Sequence, residues 1–399
     1  MARLHRDEHG FILASAIVAM VVVGAAVAGS YFIANQEFHV GKSMRHATHT
    51  FYAAEAGVQQ VFATWSIRDR WTMNGGTALP VGPVSLPNGA TYIGSVARVD
   101  NTPAADTDTE RYYVVRIEGR TRSSIRGEEV ANRQVLILRV RYYDFCCSAA
   151  ITAKDTFTQA GNTTIDGNNR TPANWAGQCD SASTANVAGA EVECADCFVT
   201  EGAPGTTSGD PPVETDTTLQ SQTLTEWDEV TYDLLRSMAS KTYPDGWSTG
   251  AVGGTFPFVT SDPATALPVC DVGVYQNWGE PFDPAHPCFN YFPILYGEGD
   301  LWLDGNSYGQ GLLIVEGDLT LKGGYEFYGI ILVKGHILTE GTGGKIHGSV
   351  IVAGQGDGNS RLAGNAEILY SSCAVMRAKR FAELAKKEAL PLRAWIEAL

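Results

Sequence analysis

The run GDLWLDGNSYGQGLLIVEGDLTLKGGYEFYGIILVKGHIL, residues 299–338, repeats itself. Gly299-Asp-Leu-Trp-Leu303 returns as Gly317-Asp-Leu-Thr-Leu321 and as Gly335-His-Ile-Leu-Thr339, at intervals of 18 residues. GLLIVEG from 311, GIILVKG from 329 and GSVIVAG from 348 recur at 18 and 19. A fixed short period with glycine corners predicts a β-solenoid, with about three short strands per coil and like residues stacked about 4.8 Å apart. Leu301, Leu319 and Ile337 are expected to form one inward ladder, and Val315, Val333 and Val352 another. The segments 312–315, 330–333 and 349–352 are apolar on both faces. The outward row Ile314, Leu332 and Ile351 is therefore expected as a docking face, covered by this chain or a neighbour.

Upstream, Ile151-Thr-Ala, FTQAGN at 157–162 and TIDG at 164–167 share the pattern of Leu362-Ala-Gly-Asn365. A first coil is thus expected over 146–170, an interruption over 171–293 and the rest of the solenoid over 294–376. The interruption is dense in Thr, Ser, Gly, Pro and Asp. One helix is expected in it at 225–241, with Thr225 and Asp228 as a capping pair and Trp227, Val230, Leu234, Leu235 and Met238 as its apolar stripe. All eight cysteines lie beyond residue 145: Cys146, Cys147, Cys179, Cys194, Cys197, Cys270, Cys288 and Cys373. They are disulfide candidates whose pairing the sequence leaves open, and their placement suits an exported domain. Cys194-Ala-Asp-Cys197 has the spacing of half a zinc site or of a redox motif. A zinc site wants a second close pair and a redox motif wants a βαβ setting, so disulfides are favoured and neither metal nor cofactor is expected.

Residues 68–145 read as an antiparallel β domain, because 92–99, 112–118 and 135–143 are rich in β-branched and aromatic residues between polar turns. The arginines at 116, 120, 122, 126, 133, 139 and 141 alternate with Glu110, Glu118, Glu128 and Glu129, the pattern of a solvated sheet face rather than an anion site. Before this domain, FILASAIVAMVVVGAAVAGSYFIA at 11–34 holds 24 residues without a charge, enough for one transmembrane helix. A signal peptide cut after Ala26-Val-Ala28 is the competing reading. Apolar spacing at Phe51, Ala54, Val58, Val61, Phe62 and Trp65 predicts that the helix continues as an amphipathic one to about residue 67, with bends at its glycines. His39, His46 and His49 are expected as solvated side chains rather than metal ligands. Residues 377–399 read as an amphipathic helix broken at Pro391.

The net charge of -15 divides into +2 over 1–145, -20 over 146–376 and +3 over the tail. That excludes a nucleic-acid partner, which needs a concentrated basic surface.

The leader MARLHRDEHG ends in Gly10, Phe11 opens the apolar run, and FYAAEAGV follows the span at 51–58. This stretch resembles a prepilin signal and the N-terminal helix of type IV pilins and PilX-type minor pilins. The resemblance implies cleavage between Gly10 and Phe11 by a prepilin peptidase, methylation of Phe11, and packing of the helix with other pilin-like subunits or the pilus assembly platform. It also implies a single-pass inner-membrane protein whose C-terminal domain is periplasmic or at the cell surface, in a pilus. The fifth mature position is Ser15, where most pilins carry glutamate. The expected fold class is α+β: a long N-terminal transmembrane helix, an antiparallel sheet, then a mainly β solenoid with an irregular insertion. The expected function is a non-enzymatic structural component of the bacterial envelope. The alternative is a membrane-anchored or secreted solenoid adhesin or polysaccharide-acting enzyme, with Asp300, Asp304, Glu316 and Asp318 as its first candidate carboxylates.

Overall fold

The computed structural model describes residues 9–65, 73, 75–99, 110–122, 129–143, 145–179, 185–202, 205–227, 230–250, 256–263, 265–356, 358–382 and 385–390. One long apolar helix leads into a mostly β structure with both antiparallel and parallel sheets.

The helix α1, His9–Ala63, runs unbroken through Gly24, Gly29, Gly41 and Gly57. At 1.5 Å per residue it is about 82 Å long. Its N-terminal portion stands bare, with Met20, Phe32 and Met44 all exposed. From Thr50 onward it lies on an antiparallel sheet made of β1 (Ala78–Ser85), β2 (Thr91–Arg98), β3 (Glu110–Arg122) and β4 (Glu129–Tyr142). Burial alternates along β3, so Tyr113, Val115 and Ile117 face the helix and meet Ala54, Val58, Val61 and Trp65. Burying each large side chain contributes about 1.5–3 kcal/mol. Phe51 turns out to solvent and Phe62 is half-buried, so the packed stripe is narrower than the sequence pattern. Gly57 is a point of contact rather than a bend: a Cβ there would come within 2.6 Å of Ile117 Cγ2. Across from it, a side chain at Gly119 would collide with the Thr50 carbonyl.

The parallel region begins with β5 (Ala149–Ala153), β6 (Phe157–Ala160), β7 (Thr164–Asp166), β8 (Ala188–Val192), β9 (Phe198–Glu201), β10 (Thr206–Ser208) and β11 (Val213–Thr215). A hairpin, β12 (Glu226–Trp227) and β13 (Val230–Thr231), leads into the short helix α2 (Tyr232–Ser237), then β14 (Lys241–Tyr243) and β15 (Trp247–Ser248). A second hairpin, β16 (Val259–Ser261) and β17 (Pro268–Cys270), precedes the repeat. The repeat supplies β18 (Ile294–Gly297), β19 (Leu301–Leu303), β20 (Tyr308–Val315), β21 (Leu319–Lys322), β22 (Glu326–Val333), β23 (Ile337–Glu340), β24 (Lys345–Val352), β25 (Ser360–Leu362) and β26 (Glu367–Tyr370). Helix α3 (Ser372–Phe381) and β27 (Ala385–Leu390) follow.

Through the repeat the chain passes alternately between two parallel sheets, and the spacing of 18 is their register. Leu301 pairs with Leu319 and Leu319 with Ile337, while Val315 pairs with Val333 and Val333 with Val352. All six are fully buried. At the bend within β22, Gly329 adopts φ +142°, and a Cβ there would run into the Gly311 carbonyl one strand away. Only glycine fits where successive backbones touch at such a dihedral.

Order in space differs from order in sequence. The last strands of the repeat lie against the first strands of the region: β24 against β5, β25 against β6 and β26 against β7. From there β8, β9, β10 and β11 extend one end, while β14 and β15 join the other beside β18 and β19. The chain starts mid-way, builds outward, crosses back, and builds inward to meet its own start. Strands 188–192, 198–201, 206–208, 213–215, 241–243 and 247–248, in a stretch irregular by composition, thus belong to the parallel sheets.

Two sequence expectations are corrected. The helix expected at 225–241 is only Tyr232–Ser237, capped by the Thr231 hydroxyl, and Trp227 and Val230 pair across a hairpin. Trp227 stacks between Phe145 and Tyr232, so ring packing and the β-branched Val230 and Thr231 override the helical spacing; Asp228 lies outside the described residues. The expected C-terminal helix is also different. Its helical part is Ser372–Phe381, capped by Ser371, and Ala385–Leu390 is a strand paired antiparallel with β4. The open edge of β4 supplies backbone partners that an isolated segment lacks, and Arg139 bonds Glu388 across the pair. Pro391 and the residues after it lie outside the described residues.

Candidate functional site

The sequence-marked processing positions Gly10 and Phe11 fall in the first turn of α1, and Ser15 lies on its exposed part. Leu13–Ala63 includes a stretch long and apolar enough to cross a membrane, none of it covered by the rest of the chain. His39 is exposed and His46 and His49 are half-buried; among the described residues no three His, Cys, Asp or Glu side chains gather as metal ligands.

The row Ile314, Leu332 and Ile351 is buried. Helix α3 packs on β20, β22 and β24, and α2 touches β20. Arg377 of α3 lies 4.5 Å from the centre of the Phe289 ring and 4.9 Å from that of Trp175, and donates to Asn290 Oδ1 at 2.6 Å.

All eight cysteines are paired. Cys146–Cys147 sits in the link between β4 and β5, Cys194–Cys197 closes the turn before β9, and Cys270–Cys288 ties β17 to the following loop. Cys179–Cys373, with Cα atoms 5.6 Å apart, joins the segment after β7 to α3.

The four candidate carboxylates hold structure together. Asp245 Oδ1 accepts the Asp300 N–H at 2.7 Å, Asp300 Oδ1 accepts that of Asp318 at 2.8 Å, and Asp318 Oδ1 accepts that of His336 at 2.8 Å. His336, buried, then bridges Asp318 at 3.1 Å to Asp155 at 3.2 Å, linking the repeat to the β5–β6 turn. Asp304 accepts from the Ser248 and Thr249 hydroxyls at 2.7 and 3.0 Å, and Glu316 pairs with Lys334 at 2.7 Å. These corners are stitched from one strand to the next by side-chain caps on backbone N–H groups.

Sequence reasoning missed a cluster of titratable and aromatic groups on the outer side of β20, β22 and β24. The Tyr308 hydroxyl donates to Glu280 at 3.0 Å and the Tyr328 hydroxyl to Glu326 at 2.9 Å. Phe282 stands edge-on to both rings, and His347 stacks on Tyr328 with centroids 4.5 Å apart. Burial pushes both phenols up, and the neighbouring Glu280 and Glu326 push further. Burial also pushes His347 down to about 4, with Lys345 adding to it. At neutral pH the cluster therefore offers phenolic donors and an uncharged imidazole. The register contained the signal: Tyr308, Glu326 and Lys345 occupy one row, and Gln310, Tyr328 and His347 the next.

Compared with protein-family models, curated proteins and solved structures, the chain finds no match.

Proposed function

We propose that this chain is a non-enzymatic structural component of the bacterial cell envelope, a minor pilin-like or pilus-assembly protein. The observation that carries the reading is α1: an uninterrupted helix of 55 residues, bare and apolar at its start and packed on an antiparallel sheet at its end. A helix that only anchored a domain would need about 20 apolar residues and no rigid extension. The extension lifts the sheet away from the membrane and leaves Phe38, Val40 and Met44 exposed to other pilin-like helices. The two parallel sheets are read as coils of a β-solenoid, and the disulfides support a periplasmic or cell-surface location for that domain. Inner membrane, prepilin peptidase and assembly platform are the proposed partners.

Intact-mass analysis of the protein purified from its native membranes tests this. A mature chain starting at methylated Phe11, with processing abolished in Gly10→Ala, is the expected result. An uncut Met1 overturns it and leaves an ordinary signal anchor, and cleavage near residue 28 makes the chain a secreted protein.

A further inference from the structure

The antiparallel sheet has a second face, turned away from α1. Even-numbered residues of β3 and their partners on β4 and β2 point there: Val114 opposite Ile137, Arg116 opposite Val135, Glu118 opposite Arg133 and Ile93. Ile93, Val114, Val135 and Ile137 are only half-buried, so the centre of this face is apolar and part-open to solvent. Arginines surround it. Arg133 and Arg120 share Glu118 at 3.1 and 2.8 Å, and together they hold its carboxyl below the usual range despite partial burial. Arg116 is exposed and pairs with no carboxylate among the described residues. Ser95, Arg116, Arg120 and Arg133 line a shallow hollow on this face. The sequence pattern alone suggests a solvated face; the half-buried Ile93, Val114, Val135 and Ile137 inside the arginine rim give it instead the composition of an interface.

The opposite charge lies at one end of the parallel sheets. There β9, β10 and β11 are the terminal strands, and Val213, Glu214 and Thr215 are all exposed. Residues 193–216 carry six Asp and Glu and no Lys or Arg. Glu201 is held by Arg361, whereas Asp196, Asp210 and Glu214 have no ion-pair partner among the described residues. No ion pair among the described residues joins this end to the arginine face, and Arg116 on one side and Asp196, Asp210 and Glu214 on the other are left without an ion-pair partner among those residues.

We propose that copies of this chain associate head to tail, the acidic end of one copy's parallel sheets seated on the arginine-rimmed face of another copy's antiparallel sheet. A carboxylate at 210 or 214 enters the hollow beside Arg116, and Val213 meets the apolar centre. The two surfaces differ, so the contact is heterologous and propagates instead of closing as a symmetric dimer. Charge complementarity steers the approach and selects the register, and screening over about 8 Å at physiological ionic strength makes the association weaken with salt. The proposal is independent of prepilin processing and of helix packing in the bilayer.

The test uses the full oxidised chain in phosphatidylcholine nanodiscs holding one copy each, so that transmembrane helices cannot meet. Sedimentation should find chains of discs at low salt that fall apart at high salt. Arg116→Gln with Arg133→Gln disables one surface, and Asp210→Asn with Glu214→Gln the other; all four positions are exposed, and melting curves verify that each variant folds. Each double variant alone should associate at least about tenfold more weakly than the unaltered chain. Mixed in equal amounts, the two should form pairs of discs and nothing longer, because one intact surface of each kind remains. Discs that stay single in the unaltered protein, variants that associate undiminished, or a mixture that stays single would each overturn the proposal. So would unaltered discs that bind anionic vesicles through the arginine face while ignoring one another.

Discussion

His347 joins sequence, packing and stability at a single position. Its ring stacks on Tyr328, which in turn meets Phe282 and Trp175, and burial holds it neutral, down to about 4 against an ordinary 6.5. A histidine kept neutral in the fold but free to take a proton when unfolded stabilises the fold fully above the ordinary value. That contribution is lost as pH falls from about 6.5 toward 4, amounting to about 3 kcal/mol at most. Urea unfolding at pH 7 and pH 5 should therefore lose stability in the unaltered protein and distinctly less in His347→Phe, which keeps the stacked ring. Equal losses in both would mean that the imidazole charges inside the fold. Gly57 and Gly119 matter at the same scale for a different reason, since they let the helix and sheet backbones meet where any side chain would hold them apart.

At the scale of elements, β27 is the segment whose behaviour depends most on its surroundings. Ala-Lys-Lys-Glu-Ala-Leu is made of good helix formers, yet it pairs as a strand from Ala385 opposite Tyr142 to Leu390 opposite Ile137. Six residues are too few to nucleate an isolated helix, and the edge of β4 satisfies their backbone groups. Truncation after Ala382 should raise the hydrogen-exchange rates of β4 amides at 137–142 and leave those of β22 unchanged. It should also increase aggregation, because a long arginine-bearing edge is left without its partner. Unchanged exchange at 137–142 would mean that β27 contributes nothing to the edge. Helix α3 has the complementary task of covering β20, β22 and β24, whose C-terminal segments 312–315, 330–333 and 350–352 are apolar on both faces.

For the whole molecule, the decisive feature is that the parallel sheets are assembled from two stretches of chain that meet at β5 and β24. Strand pairing, the His336 bridge to Asp155 and the Cys179–Cys373 disulfide all cross this joint. The disulfide spans 194 residues of sequence, so in the chain-entropy model it contributes about 5 kcal/mol, an upper figure. Cys179→Ser with Cys373→Ser should destabilise the protein by roughly 2–5 kcal/mol, read from its denaturation midpoint. Removal of Cys194–Cys197, with a sequence separation of 3, should cost much less. Equal effects of the two removals would show that the joint does not depend on this cross-link.

The sequence alone determined the long apolar helix, the antiparallel run after it and the register of the repeat. Each of these is written in local pattern: the uncharged 11–34 stretch, the β-branched and aromatic residues from Tyr112 to Glu118, and the return of Gly299-Asp-Leu at 317 and, as Gly-His-Ile, at 335. Kinship of 149–166 with the repeat was also legible, because glycine corners and short apolar triplets have a recognisable spacing. The Cys179–Cys373 pair, the strand at 385–390, the packing of the hairpin at 226–231 and the Tyr308–Glu280 contact were decided only in the tertiary structure. Each depends on a partner far away in sequence: Cys373 for Cys179, β4 for β27, Phe145 for Trp227, Glu280 for Tyr308. Local preference sets which backbone conformations cost little, but the free energy that selects among them comes from contacts formed once distant segments meet.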